Sequence, residues 1–411
     1  MNGAADMTSS RPIVVMKFGG TSVATDGGRA SLRARVRQAL DAGRAPVVVV
    51  SAMGRRGAPY ATDTLLDLVE GCEDPHGRDL VASVGEVISS VVVAHELTCD
   101  GMPARPFTGG DAGIVTDGVP QSATITEIFP APLLTAVAAG IVPVVAGFQG
   151  IGPDGGLTTL GRGGSDTTAC ALGVALEAAE VEIYTDVDGV MTADPRTCDG
   201  AGVLTRLGAD ELFQMARHGS RVVHTPAAEL ALASGLDMRV RNTFSAADGT
   251  LVVADIAGYR PDAVATAVSH STGIVRFEVA LPAAGGGVST VAQSHIYTAM
   301  AEASVSLDMF TPFGAALAFS VTADDAPRAE EVLSGLDLDF TLRSDLAKVT
   351  LVGAGMHGVP GVMARLAEAL SGAGIGILQT ADSHSTISVL VRGERCADAV
   401  GALHDAFGLG G

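Results

Sequence analysis

PIVVMKFGGTSVATDGGRASLRARVRQALDAGRAPVVVVSAMG, residues 12–54, is the stretch whose reading decides the fold. It opens on a β-branched run that ends in Gly19 and Gly20, the pattern of a buried strand running into a tight loop. Leu32, Val36 and Leu40 then recur at i, i+4 and i+8 with arginines between them, and a glycine follows, which marks an amphipathic helix. A second apolar run, APVVVVSAMG, restores the strand pattern. Strand, helix and strand within about 35 residues make a βαβ unit, and its crossover sets the two strands parallel.

The same alternation returns in GIVPVVAGFQG (140–150), a helix after Ser165, and VEIYTDVDGV (181–190). An α/β domain with a largely parallel sheet is expected. Around 248–262, DGTLVVADIAGYRPDA, the pattern changes and a domain boundary is read. Beyond it lie two similar modules, one containing QSHIYTAMAEASVSLDMF (293–310) and the other GVMARLAEALSGAGIGILQT (361–380). Each reads as helix, turn and alternating strand, so two copies of a βαββαβ module of roughly 70 residues account for them.

At 411 residues the chain exceeds what one hydrophobic core supports, so two or three domains are expected. Apolar residues at 47% and charged residues at 18% argue against disorder. The absence of tryptophan and an aromatic content of 4% argue against base-stacking platforms. A net charge of -20 argues further against nucleic acid or an anionic membrane as partner. The apolar runs APVVVVSAM and GIVPVVAGF are about half the roughly 20 residues of a membrane helix. Cys72, Cys99, Cys170, Cys198 and Cys396 are scattered without a CxxC pair and read as reduced thiols of a cytoplasmic protein. Residues 1–12, MNGAADMTSSRP, lack the pattern of a signal peptide and read as a flexible N-terminus.

Ligands of a parallel sheet bind beyond the carboxyl ends of its strands. KFGGTS (17–22) puts Lys17 at such an end, where two readings stand: a point charge and open backbone for a phosphate, or a strand-end turn with a snorkelling lysine. It is not a Walker A sequence. TTLGRGGSDTTACAL (158–172) sets Arg162 among glycines, then Ser165 or Asp166 where either can cap a helix through Ala169, Leu172 and Leu176. Here too there are two readings, a glycine-rich cap with a solvated arginine or an anion site at the helix N-terminus; the cap explains the serine and glycines but not the arginine. YTDVDGVMTADPR (184–196) spreads Asp186, Asp188, Asp194 and Arg196 after a strand. It lacks the twelfth-position glutamate of an EF-hand, so a nucleotide loop with Arg196 on phosphate fits better than calcium. The nine histidines form no HExxH pair and no metal site is read from them.

Taken together, VMKFGGTSVA (15–24), VVVSAMGRRGAPYATDTLL (48–66), GEVISS (85–90), FTGGDAGIVTD (107–117), VVAGFQG (144–150), TTLGRGGSDTTA (158–169) and YTDVDGVMTADPR (184–196) resemble aspartate kinases in order and spacing. The tail, residues 352–391, resembles their second ACT domain, and the likeness extends from about residue 13 to 408. It is nearest the monofunctional bacterial form of the diaminopimelate and lysine pathway. The resemblance implies a three-layer αβα amino-acid-kinase fold over residues 13–255, then two ferredoxin-like βαββαβ ACT domains over 264–411. The first, about 275–342, would be inserted into the second, about 264–274 plus 343–411.

It also implies ATP-dependent phosphorylation of the side-chain carboxylate of L-aspartate, with Mg2+ on phosphate oxygens rather than in a protein cage. The carboxylate nucleophile, with a pKa near 3.9, is already ionised and needs no general base. Lys17 would stabilise the transferring phosphoryl group, Arg162 would bind the α-carboxylate and Glu86 the α-ammonium, while Thr62, Ser165 and Asp166 complete the amino-acid pocket. Gly19, Gly20, Thr21, Ser22, Thr185, Asp186, Arg196 and Arg221 would serve the nucleotide. Arg221 in GSRVVH where lysine is usual, Thr225-Pro226 in HTPAAE for HPRAVE, and Met191 at an often aromatic place depart from the pattern on the nucleotide side. Ser306, Asp308, Gln379 and Thr380 fall where ACT domains bind an amino-acid effector such as lysine, threonine or diaminopimelate, or they cap ordinary turns. ACT pairing implies a homodimer or higher assembly. Two other functions stay open: a kinase of another amino acid or carboxylate in specialised metabolism, and a catalytically silent effector-binding subunit.

Overall fold

A computed structural model describes residues 11–410 except 221, 255–263, 282, 285–286, 289 and 357, with the backbone alone at 283–284 and 287–288. The chain forms two units, Met1–Val190 with Val203–Ala216 and Arg221–Tyr259, and Met191–Gly202 with Arg217–Ser220 and Arg260–Gly411.

The first unit is organised by an eight-stranded sheet. Its order is Arg206–Gly208, Thr250–Val253, Met238–Asn242, Glu180–Thr185, Ile13–Phe18, Ala45–Val50, Val142–Ala146, Ala104–Phe107. Adjacent strands run parallel except Met238–Asn242 against Thr250–Val253. Ala45–Val50 is buried at every position, as a parallel strand covered on both faces must be. Along Ile13–Phe18 the side chains alternate. Val14, Met16 and Phe18 join Leu32 and Val36 of the helix Asp26–Asp41 and Val93 and Leu97 of the helix Pro75–Cys99 in one apolar cluster. The period of two therefore turns Val15 and Lys17 to the opposite face, where the helix Gly164–Ala175 packs.

Pro75–Cys99 begins with Asp74 accepting from the His76 and Gly77 N–H groups and with proline in the first turn. By length and composition it could cross a membrane, yet it is half buried and its inward face includes Asp79 and Glu86, which suits the core helix of a folded domain. A small sheet of Ile125–Ile128, Ile114–Thr116, Gln149–Ile151 and Leu157–Thr159 leads the chain into the Arg162 loop.

In the second unit the two repeats share one six-stranded sheet. Its order is Asp308–Phe313, Ala316–Thr322, Ala267–Ala280, Phe340–Val352, Thr386–Arg392, Gln379–Asp382. The two central strands, 14 and 13 residues long, run through both modules. Ala267–Thr272 pairs with Ala347–Val352, whose other neighbour is Thr386–Arg392, while Ile274–Ala280 pairs with Ala316–Thr322. Each module has its own core, one around Phe277, Ile296, Phe319 and Leu333, the other around Val349, Leu366, Val389 and Leu403. Ala193 and Cys198, from Met191–Gly202, belong to the latter core. All five cysteines are free.

Candidate active site

Lys17 lies next to the end of the central strand and reaches the first turn of Gly164–Ala175, where its Nζ stands 2.6 Å from Asp166 Oδ1. The residues are 9% and 4% exposed, so the pair is desolvated and each charge depends on the other. An ammonium has three donors, and one carboxylate oxygen fixes its position without saturating it.

The Arg162 loop is shaped by Gly163, whose φ of +74° and whose Cβ, were one present, only 2.2 Å from His224 Cγ, admit no other residue. The helix starts at Gly164 with Gly163 as its N-cap and no side-chain cap. This corrects the expectation that Ser165 or Asp166 caps it. Both lie inside the first turn, and the Asp166 carboxylate is drawn to Lys17. The positive end of the helix is thereby left facing the space beside Ser165. Arg162 is exposed on the same space and has no acidic partner among the described residues.

The helix Pro75–Cys99 forms another wall through Arg78, Ala82 and Glu86, spaced i, i+4, i+8 on one face. Glu86 is 3% exposed, and its Oε1 accepts from the Ala52 N–H at 3.1 Å. Its Oε2 has no partner among the described residues. Burial pushes this carboxyl up to about 8, with the Ala52 N–H pulling the other way.

Lys17, Gly20, Thr62, Glu86, Arg162, Ser165 and Asp166 thus border one cavity of about 690 Å³. Gly20 is required there, because a Cβ would stand 2.7 Å from the Ala52 carbonyl. The residues after it behave differently. Gly19 donates its N–H to the Tyr184 carbonyl at 3.2 Å, and the buried Ser22 hydroxyl bonds Thr243 Oγ1 at 2.6 Å. Both groups are engaged inside the fold. Thr21 sits in the short helix Gly20–Val23.

Thr185 ends the strand adjacent to Ile13–Phe18 and Asp186 follows it, and Asp186 pairs with Arg55 at 3.0 Å. Arg196 belongs to the second unit and pairs with Asp194 at 2.7 Å; that hydrogen bond holds the Asp194 carboxyl below its ordinary value. Arg221 lies outside the described residues.

Two side chains of the helix Pro75–Cys99 escape sequence reasoning. Asp79 is fully buried and accepts from the Gln121 N–H at 3.0 Å, the Thr159 N–H at 3.3 Å and the Thr159 hydroxyl at 2.7 Å. Arg78 donates from Nε to Gln121 Oε1 at 3.3 Å. An acid in an otherwise apolar helix, seven residues before Glu86, is the only local signal of the first.

In the second unit Asp308 pairs with Lys348, whose hydrogen bond and charge outweigh partial burial and hold the Asp308 carboxyl below its ordinary value. Gln379 accepts from Arg276 Nε at 3.0 Å and donates to the Met309 carbonyl and, at 3.3 Å, to Thr311 Oγ1. Asp308 and Gln379 are therefore gathered about Met309, while Ser306 and Thr380 are exposed.

Residues 12–242 match the model of the Amino acid kinase family, and residues 341–405 match an ACT domain. Fold and site define an amino-acid kinase carrying a regulatory-type domain. Over 404 residues the chain is 41% identical to aspartokinase 1 of Bacillus subtilis, covering 97% of this chain and 99% of that protein. It is 40% identical over 417 residues to the aspartokinase of Mycolicibacterium smegmatis, covering 97% of each. The crystal structure of E. coli aspartokinase III in complex with aspartate and ADP has the same fold, with a TM-score of 0.80, 24% identity, and coverage of 96% of this chain and 99% of that one. The chain belongs to the aspartokinase family.

Proposed function

We propose that the chain transfers the γ-phosphoryl group of ATP to the side-chain carboxylate of L-aspartate, giving ADP and 4-phospho-L-aspartate. One observation carries this reading: a buried carboxylate with an unpartnered oxygen, Glu86 Oε2, shares a cavity with Arg162 and the Lys17 ammonium. An α-amino acid with a second carboxylate complements all three groups. Its ammonium meets Glu86, its α-carboxylate meets Arg162 bidentately, and its side chain is turned to Lys17.

A side-chain carboxylate oxygen attacks the γ-phosphorus, the bond from phosphorus to the ADP oxygen breaks, and no proton is removed. The barrier comes from bringing two anions together. Lys17, held by Asp166, and the uncapped first turn at Ser165 offset that repulsion. The nucleotide lies past the strand ends at Gly20, Thr21, Thr185 and Asp186, the usual ligand side of a parallel sheet. Mg2+ would supply further positive charge on the phosphate oxygens.

An amino-acid effector, lysine, threonine or diaminopimelate, would bind at Ser306, Asp308, Gln379 and Thr380; the ACT match over residues 341–405 supports an effector domain and includes Gln379 and Thr380. Self-association as a homodimer is supported by the outer strand Asp308–Phe313, which exposes Phe310 and Phe313. Free thiols suit a cytoplasmic setting. Incubation with Mg·ATP, hydroxylamine and a panel of amino acids tests the reaction. Hydroxamate should form with aspartate in step with ADP; formation with another acceptor and not with aspartate would reassign the substrate.

A further inference from the structure

We infer that Asp79 is a positioning residue for Arg162, fixing the distance between the carboxylate-binding and ammonium-binding ends of the acceptor pocket. This rests on the aspartate kinase reading above. Asp79 does not border the cavity that Lys17, Glu86 and Arg162 share, so it acts through what it holds.

Three donors from two segments converge on its buried carboxylate. The Thr159 N–H and hydroxyl come from the residue three before Arg162, and the Gln121 N–H comes from a segment distant in sequence. Gln121 has a φ of +61°, a left-handed conformation a glutamine adopts only when its surroundings hold it. A Cβ on Gly161, the neighbour of Arg162, would stand 3.3 Å from the Gln121 carbonyl, and the Ala123 N–H donates to the Thr159 carbonyl at 2.9 Å. Gln121 and Thr159 thus brace the base of the loop from both sides, and Asp79 ties that brace to the helix.

The helix is Pro75–Cys99, which also carries Glu86. Seven residues separate the two acids, about two turns or 10 Å of rigid rise, so both project from one face. One rigid element therefore sets where the ammonium of an acceptor rests and where the Arg162 loop is anchored. A carboxylate is needed at 79 because every partner is a donor. An amide there has one accepting oxygen: turned to the two N–H groups it makes the Thr159 hydroxyl accept from its NH2 instead of donating, and turned the other way it sets its NH2 against those N–H groups.

Steady-state kinetics of Asp79→Asn, well below its unfolding temperature, test this. The KM for aspartate should rise 10- to 100-fold, with the KM for ATP within twofold and kcat within fivefold of wild type. In an Arg162→Ala background the same substitution should raise the aspartate KM less than twofold further, because the group it positions is gone. Thr159→Val, a milder change that removes only the 2.7 Å bond, should move the aspartate KM in the same direction by several-fold and serves if Asp79→Asn does not fold. Equal changes in both KM values, no change in either, or full additivity with Arg162→Ala would overturn the inference. Absence of aspartate-dependent ADP formation in the wild-type chain would overturn the functional reading itself and the inference with it.

Discussion

In the first unit Glu86 keeps an oxygen without a partner among the described residues and Arg162 faces the cavity with no acid beside it. In the second unit the corresponding polar groups answer one another: Asp308 has Lys348, and Gln379 has Arg276, Met309 and Thr311. If the proposed effector site is correct, the contrast separates two ways of binding the same class of ligand. A cavity in which a buried carboxyl oxygen and an arginine lack partners gains them from a ligand of the right pattern, so complementarity there becomes affinity and orientation. A cluster that is already satisfied must exchange bonds to accept a ligand, and the net gain is a small difference suited to a graded response.

The largest effect that could break this contrast is at Lys17. Lys17→Met should lower kcat about 1,000-fold or more, since it removes the cation at the reacting oxygens. Leaving Asp166 buried and alone should also cost on the order of 3 kcal/mol in denaturant unfolding. The pair Lys17→Met/Asp166→Asn should recover most of that stability and none of the rate. Recovery of both would move the chemistry elsewhere. Arg162→Ala should raise the KM for aspartate about 10- to 100-fold, the worth of a charge-assisted pair, and alter the KM for ATP far less.

A third test uses Glu86, whose carboxyl lies at about 8 rather than its ordinary 4.5. Folding favours its protonated form, so its contribution to stability is complete below 4.5 and is lost as pH rises through about 8. Aspartate binding needs the ionised form. Calorimetry in buffers of different ionisation enthalpy should therefore find close to one proton released per aspartate near pH 6.5, falling toward none by pH 9. Affinity should rise about tenfold per pH unit below 8 and then level, and Glu86→Gln should abolish both trends. Proton uptake on binding would contradict the assignment.

Effects in the second unit should be smaller. Asp308 has half its side chain exposed, and solvent screening should keep the cost of Asp308→Asn below about 1 kcal/mol in urea unfolding. Arg196→Ala should change the KM for ATP less than threefold, because its guanidinium is 77% exposed and committed to Asp194. A tenfold change there would mean that Arg196 exchanges Asp194 for phosphate when nucleotide binds.

What could be read from the chain alone was local. The place of Lys17 followed from a strand period and two glycines, and Arg162 stood out because a glycine-rich cap has no use for an arginine. The helix-turn-strand repeat was equally legible, but the joining of both copies in one sheet depends on long-range register within Ala267–Ala280 and Phe340–Val352. Glu86 and Thr62 were reached only through family resemblance, since nothing near an acid in an apolar helix tells whether its oxygens are paired. Asp79 was missed for the same reason: its partners Gln121 and Thr159 lie 42 and 80 residues away. The capping of Gly164–Ala175 was misread because a left-handed glycine replaced the expected side chain and Lys17, distant in sequence, claimed Asp166.

The central claim is that an ionised carboxylate oxygen of aspartate itself forms the new bond to phosphorus between Lys17 and Arg162. Aspartate labelled with ¹⁸O only in its side-chain carboxylate tests it directly. After turnover with Mg·ATP and cleavage of the acyl phosphate by hydroxylamine at carbon, the released phosphate should carry one ¹⁸O atom. Unlabelled phosphate formed at the same rate would show that another oxygen attacks, and the account of the site would fail.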